Sequence, residues 1–139
     1  MIDEKKITDF IGRHHVLTLA TAAAGESQPY CANCFYAYDK ARNRFIFTTD
    51  DATRHGSHML GNARVACSIV LETRVVGRIQ GLQICGTALR GDEEAKRIYL
   101  KRFPYAAVAG LNIWTVEADY MKLTDNTLGF GKKLIWKRD

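Results

Sequence analysis

No apolar run in this sequence approaches the roughly 20 residues that a membrane helix needs, and residues 1–6 lack the apolar block of a secretory signal. A soluble, cytoplasmic protein is expected, with no membrane as partner. The four cysteines fall in no regular framework, and 139 residues can build a core without staples, so reduced thiols are expected rather than disulfides. Internal repeats, low-complexity linkers and long basic runs are also missing. The formal charge of +5 comes from lysines and arginines scattered among acids, which suits an anionic small ligand and does not call for nucleic acid. At this length one unit spanning residues 1–139 is expected.

What is present is mainly strand pattern. Ile7, Phe10 and Ile11 share one face of a first helix that Asp3 can cap and that ends within residues 12–15. Strands are read at 16–21, 28–38 and 45–49, joined by a turn around Gly25 and a polar turn at 39–44, which indicates an antiparallel meander. A short, mostly polar helix over 53–62 stops at Gly61-Asn62. Two apolar stretches at 65–72 and 82–89 add strands, with Gly77 and Gly81 between them as turn or bulge points. Asp92-Glu93-Glu94 opens a third helix with Ala95, Ile98, Tyr99 and Phe103 on one face, closed by Lys101-Arg102 before Pro104. A strand at 113–123, a loop at 124–131 and a short strand at 134–137 complete the chain. The pattern is mainly β with α: an antiparallel barrel of six or seven strands with three flanking helices.

The segment from Phe45 to His55 carries the most chemistry, because an apolar strand runs into hydroxyl groups and then a cationic helix start. Thr48, Thr49, Thr53, Arg54 and His55 could combine with backbone N–H groups to hold one phosphate. Against this, Asp50, Asp51 or Thr53 could simply cap a helix, and each aspartate would repel a phosphate unless it points away or is offset by cations. Cys31, Cys34, His55 and His58 form two close pairs of possible zinc ligands. A three-residue step on a strand, however, puts the cysteines on opposite faces, and no Gly or Pro knuckle is present to wrap a metal. No metal is expected. His14-His15 reads as a helix end, with haem ligation a minor alternative, and no Gly-x-Ser-x-Gly elbow supports a hydrolase. The aromatic stripe Tyr30, Phe35, Tyr36 and Tyr38 suits core or dimer surface, and can also flank a flat ring.

The run from Lys122 to Trp136, KLTDNTLGFGKKLIW, looks like the signature of the YhbP-like proteins within the flavin-binding split-barrel superfamily of pyridoxamine 5′-phosphate oxidase. Phe47-Thr48-Thr49-Asp50 with Thr53-Arg54-His55 is similar to that superfamily's FMN-phosphate segment, in which the final residues are Ser-Arg-Lys. His55 stands where the family has lysine, and Asn33 where it has a phosphate-binding arginine. The resemblance implies a split barrel, a homodimer and an FMN between protomers. It places Cys34, Phe35 and Tyr36 beside the ring, with Gln80 reaching it from the other chain. The function it implies is a flavin-dependent oxidoreductase acting with a small redox substrate or a nicotinamide donor. A non-enzymatic barrel that binds haem or no cofactor is the alternative, and no catalytic acid or base is evident.

Overall fold

In the computed structural model, which describes residues 2–139 and side chains from residue 4 onward, the chain opens with α1 (Ile2–Arg13), β1 (Val16–Ala22), β2 (Pro29–Phe35), β3 (Ala37–Asp39) and β4 (Arg44–Thr48). It continues through α2 (Arg54–Gly61), β5 (Arg64–Leu71), β6 (Gln80–Arg90), α3 (Glu93–Arg102), β7 (Ile113–Asp125) and β8 (Lys133–Lys137). All eight strands join one antiparallel sheet in the order β2-β1-β5-β6-β7-β4-β3, with β8 following β4 along the same edge of β7. Its two outer strands, β2 and β3, are separated in the chain only by Tyr36. The sheet therefore curls until its edges meet in one bent strand, and the barrel is split there because β3 pairs with β4 while β2 pairs only with β1. With β2 and β3 taken as halves of that strand, this is the seven-stranded split barrel with three helices that the sequence implies.

The strand read over 28–38 is broken because burial changes phase without a polar residue between. Tyr36 points into the barrel, where its hydroxyl donates to the Ile11 carbonyl at 2.6 Å, while the adjacent Ala37 packs beneath α3 outside it. Ile7, Phe10 and Ile11 fill the barrel core from α1, each buried side chain contributing about 1.5–3 kcal/mol. The helix begins at Ile2, so Asp3 lies inside its first turn rather than ahead of it, and the Asp3 side chain lies outside the described residues. On the opposite surface, Ala95 and Tyr99 of α3, with Phe103 at its C-cap, cover Ala37, Ile46 and Ile113. β4 is buried on both faces for this reason, which explains its unbroken apolar run.

The stretch 39–44, read as a polar turn, ends in a buried polar cluster. Arg44 is 2% exposed and belongs to β4; its Nε donates to Asp39 at 2.9 Å, and its two terminal nitrogens reach Asp92 at 3.1 Å each. Asp92 also caps α3 by accepting the Ala95 N–H at 2.8 Å, so one guanidinium ties the start of α3 to β4. β7 runs to Asp125, two residues into the expected 124–131 loop, before a short 3-10 turn at Asn126–Leu128.

The Arg44 hydrogen bond, followed by that of the Ala95 amide, holds the Asp92 carboxyl at about 2, below its ordinary 3.8. Its stabilising contribution is therefore complete above 3.8 and lost as pH falls toward 2. Urea unfolding across this window should show a steeper acid loss for the native protein than for Asp92→Asn, and equal slopes would contradict the assignment.

Candidate functional site

Where β4 ends, the chain bends across the start of β7 and is fastened there by Asn112. Asn112 accepts the Thr49 N–H at 3.2 Å, and its amide nitrogen donates to the Thr49 carbonyl at 2.8 Å and to Asp51 at 2.7 Å. Asp51 also accepts from Trp114 Nε1 at 3.2 Å and from both terminal nitrogens of Arg90. The Arg90 hydrogen bond, ahead of those from Asn112 and Trp114, holds the Asp51 carboxyl below the usual carboxylate range. The turn from Thr48 to Asp51 is thus braced against both β6 and β7.

Thr53 is the N-cap of α2. Its hydroxyl accepts the Gly56 N–H at 3.1 Å and donates to the Asp50 carbonyl at 2.6 Å. A side chain at position 56 would overlap that carbonyl, so glycine is required for the tight entry. Thr49 Oγ1 lies 2.5 Å from His55 Nε2, and Thr53 Oγ1 is 3.5 Å from both atoms. Two hydroxyls and one imidazole thus converge at the first turn of the helix. The backbone N–H groups of Arg54 and His55 have no intrahelical acceptor there and no other acceptor among the described residues.

The donors fit a phosphate in kind but fall short in charge. Burial, and secondarily the nearby His58, holds the His55 imidazole below its ordinary value, favouring the neutral ring. Arg54 is exposed, with its guanidinium stacked 4.4 Å from the Tyr30 ring centre. Asp50 accepts the Ala52 N–H at 2.8 Å and has no cation within ion-pair distance among the described residues, whereas Asp51 is cancelled by Arg90. The formal charge around the cluster is therefore close to zero. Beside it lies a cavity of about 550 Å³, lined by Thr48, Thr49 and Asp50 on one side and Ala106, Ala109 and Leu111 on the other.

The remaining sequence-derived positions separate by strand face. Asn33 and Phe35 lie on the outer surface of β2, where Asn33 accepts a hydrogen bond from Thr18 at 2.9 Å and Phe35 is 58% exposed. Cys34 and Tyr36 point into the core, where burial pushes the Cys34 thiol up to about 11. Their side chains face away from a ligand on the outer surface, and the Tyr36 N–H is already given to His15. Gln80 pairs with Asp125 at the far end of β7 from Thr48, so it can approach this site only from another chain. Cys31 is exposed while Cys34 is buried, and among the described residues no three His, Cys, Asp or Glu side chains are placed to share a metal. His14 stacks on Phe10 with ring centres 4.3 Å apart. Among the described residues no helix is long and apolar enough to cross a membrane.

A model of the pyridoxamine 5′-phosphate oxidase family matches residues 3–125. The chain belongs to that family. It is 41% identical over 140 residues to a UPF0306 protein of Serratia proteamaculans, covering 98% of this chain and 96% of the relative. It is also 40% identical over 137 residues to the UPF0306 protein YhbP of Salmonella arizonae, covering 96% and 92%. Among solved structures it resembles a heme binding protein from Mycobacterium smegmatis with a TM-score of 0.79 at 16% identity, over 97% of this chain and 57% of that one. A FAD-binding protein from Mesorhizobium loti superposes with a TM-score of 0.71 at 15% identity, over 86% and 90%. At such identities the shared property is the fold.

Sequence reasoning missed Asp51 as an anchor, together with Arg90, Asn112 and Trp114, because these partners lie 39 to 63 residues from it and no local pattern links them. Acidification gives a direct check on His55. Its folded pKa lies below the 6.5 of an unperturbed imidazole, so the unfolded chain takes up the proton first. The contribution of the neutral ring is present above 6.5 and is lost as pH falls below it. An NMR titration should place the His55 midpoint below 6.5, and a midpoint above it would mean that a carboxylate, not the two hydroxyls, faces the ring.

Proposed function

We propose that this protein binds FMN as a cytoplasmic homodimer and works as a flavin-dependent oxidoreductase. The observation that carries this reading is the convergence of Thr49, Thr53, His55 and two free helix amides at the β4–α2 turn of a chain in this family. In the proposed complex the phosphate lies on the α2 amides, with Thr49, Thr53 and His55 around it and Arg54 swinging from Tyr30 to reach it. Thr48, Asn33 and Phe35 border the ring, Cys34 and Tyr36 support it from within the barrel, and Gln80 comes from the second protomer. Bound there, FMN would supply two-electron redox chemistry, while the protein orients the ring beside the 550 Å³ cavity that admits a small substrate or nicotinamide donor.

A second reading has its own support. The near-zero charge of the cluster, with Asn33 and His55 at positions where the family has cations, suits a barrel that carries haem or no cofactor and does no chemistry. One of the structural neighbours is a heme binding protein.

The absorption spectrum of the purified protein, followed by titration with FMN, separates the two readings. The first expects a flavin band or stoichiometric uptake, and then reduction by a nicotinamide under anaerobic conditions. Arg54→Ala should weaken FMN binding by about 1.5–3 kcal/mol, and His55→Lys should strengthen it by a similar amount. A Soret band, or a protein that refuses added FMN, would sink the flavin reading. Phe35→Glu should turn the dimer into monomer by light scattering, since it places a charge on an exposed apolar anchor of the outer sheet face.

A further inference from the structure

The cavity beside the β4–α2 turn has two unlike walls. One is the chain that links α3 to β7, where a short 3-10 turn (Pro104–Val108) leads into Ala109, Gly110 and Leu111. This wall is fixed in place: Ala106 and Leu111 pack against the cluster beneath α3, and the Ala106 N–H donates to the Phe103 carbonyl at 3.0 Å. It presents only small or aliphatic side chains to a space of about 550 Å³, which lies within the range of small-molecule sites. The other wall is the turn from Thr48 to Asp51, and the charge it carries has one sign. Among the described residues no lysine, arginine or histidine lines the cavity. Asp51 is matched by Arg90. Asp50 is exposed; one of its carboxylate oxygens accepts the Ala52 N–H at 2.8 Å, and the other has no partner among the described residues.

We propose that this cavity takes a small organic cation, an amine in its ammonium form with a short apolar body, and that this molecule is the substrate. The assignment as substrate rests on the flavin reading above, whereas recognition of the cation does not. The apolar body lies on Ala106, Ala109 and Leu111, and the ammonium group donates to the free oxygen of Asp50. Thr49 joins the cavity to the phosphate cluster, because it lines the one while its hydroxyl lies 2.5 Å from His55 Nε2 in the other. A cation in the cavity therefore stands next to the phosphate of the proposed complex. It offsets both Asp50 and the dianion, which repel each other when nothing positive lies between them. The positive charge that the side chains around the turn do not provide is thus brought by the ligand, and cofactor and cation strengthen each other's binding. The same field disfavours a dinucleotide in this cavity, since its own phosphates add negative charge, so the small substrate and not the nicotinamide donor is the occupant.

Backbone-amide NMR titrations of the protein without added flavin test this with benzylamine, benzyl alcohol and benzoate, three probes that share one body and differ in charge. Benzylamine should shift the amides of Thr49, Ala109 and Leu111 and bind about fivefold more tightly than benzyl alcohol, the factor of a favourable exposed ion pair. High salt should shrink that difference, and benzoate should bind most weakly. Asp50→Asn removes the charge while its side-chain oxygen can still accept the Ala52 N–H, so benzylamine should fall to the affinity of the alcohol. Ala109→Trp, which fills the space from the far wall, should abolish binding of both. Benzylamine should also tighten FMN binding, and FMN that of benzylamine. Equal binding of the three probes, native amine affinity in Asp50→Asn, or an amine that weakens FMN binding would overturn the inference while leaving the flavin reading standing. Protein that binds benzylamine but takes up no FMN would overturn the substrate assignment together with that reading.

Discussion

Four hydrogen bonds from three side chains converge on the carboxylate of Asp51, and the geometry of the site depends on them. Arg90 comes from the end of β6, Trp114 from the start of β7, and Asn112 from the residue just before β7. A carboxylate is the side chain that accepts from all of them without presenting a donor of its own. An amide in its place would turn an N–H group toward the guanidinium or the indole, and the turn would lose its anchor on one side. The same contacts settle an electrostatic difficulty visible in the sequence. An aspartate beside a phosphate site should repel the ligand, but the Asp51 charge is spent on Arg90 and its oxygens point away from the α2 amides. Only Asp50 remains as a free negative charge at the mouth.

The barrel was legible in the sequence because alternation reports a half-buried strand directly, and β1, β5 and β6 alternate cleanly. The break at Tyr36 was not, since no Gly or Pro marks it; its cause is that α1 accepts the Tyr36 hydroxyl on one face while α3 covers Ala37 on the other. Arg44 misled for a related reason. An arginine next to a turn reads as solvated, and only the tertiary approach of Asp92, 48 residues on, makes its burial favourable. Thr49, Thr53 and His55 lie close in sequence and converge in the structure, while Arg54 turns to the Tyr30 ring. The Asp51 anchor required pairings between distant segments that periodicity does not carry.

The capping role of Thr53 and the ligand-binding role proposed for it, set against each other in the sequence, do not conflict in the structure. Its hydroxyl is committed to Asp50 and Gly56, yet this commitment is what leaves the next two helix amides free and directed outward. A threonine that turned to a ligand instead would release the cap and loosen the surface on which the ligand rests. In the proposed complex Thr53 would therefore act mainly as a positioning residue, while Thr49 and His55, joined by a 2.5 Å contact, would supply the adjustable donors.

Histidine in place of lysine changes the character of such a site as well as its strength. A lysine would hold its charge at every physiological pH, whereas partial burial shifts the His55 ring toward its neutral form. In the proposed complex a dianion beside Nε2 favours the imidazolium, so ligand binding and proton uptake become linked, and each unit of pKa rise draws about 1.4 kcal/mol from the interaction. Part of the attraction is thus used to charge the ring.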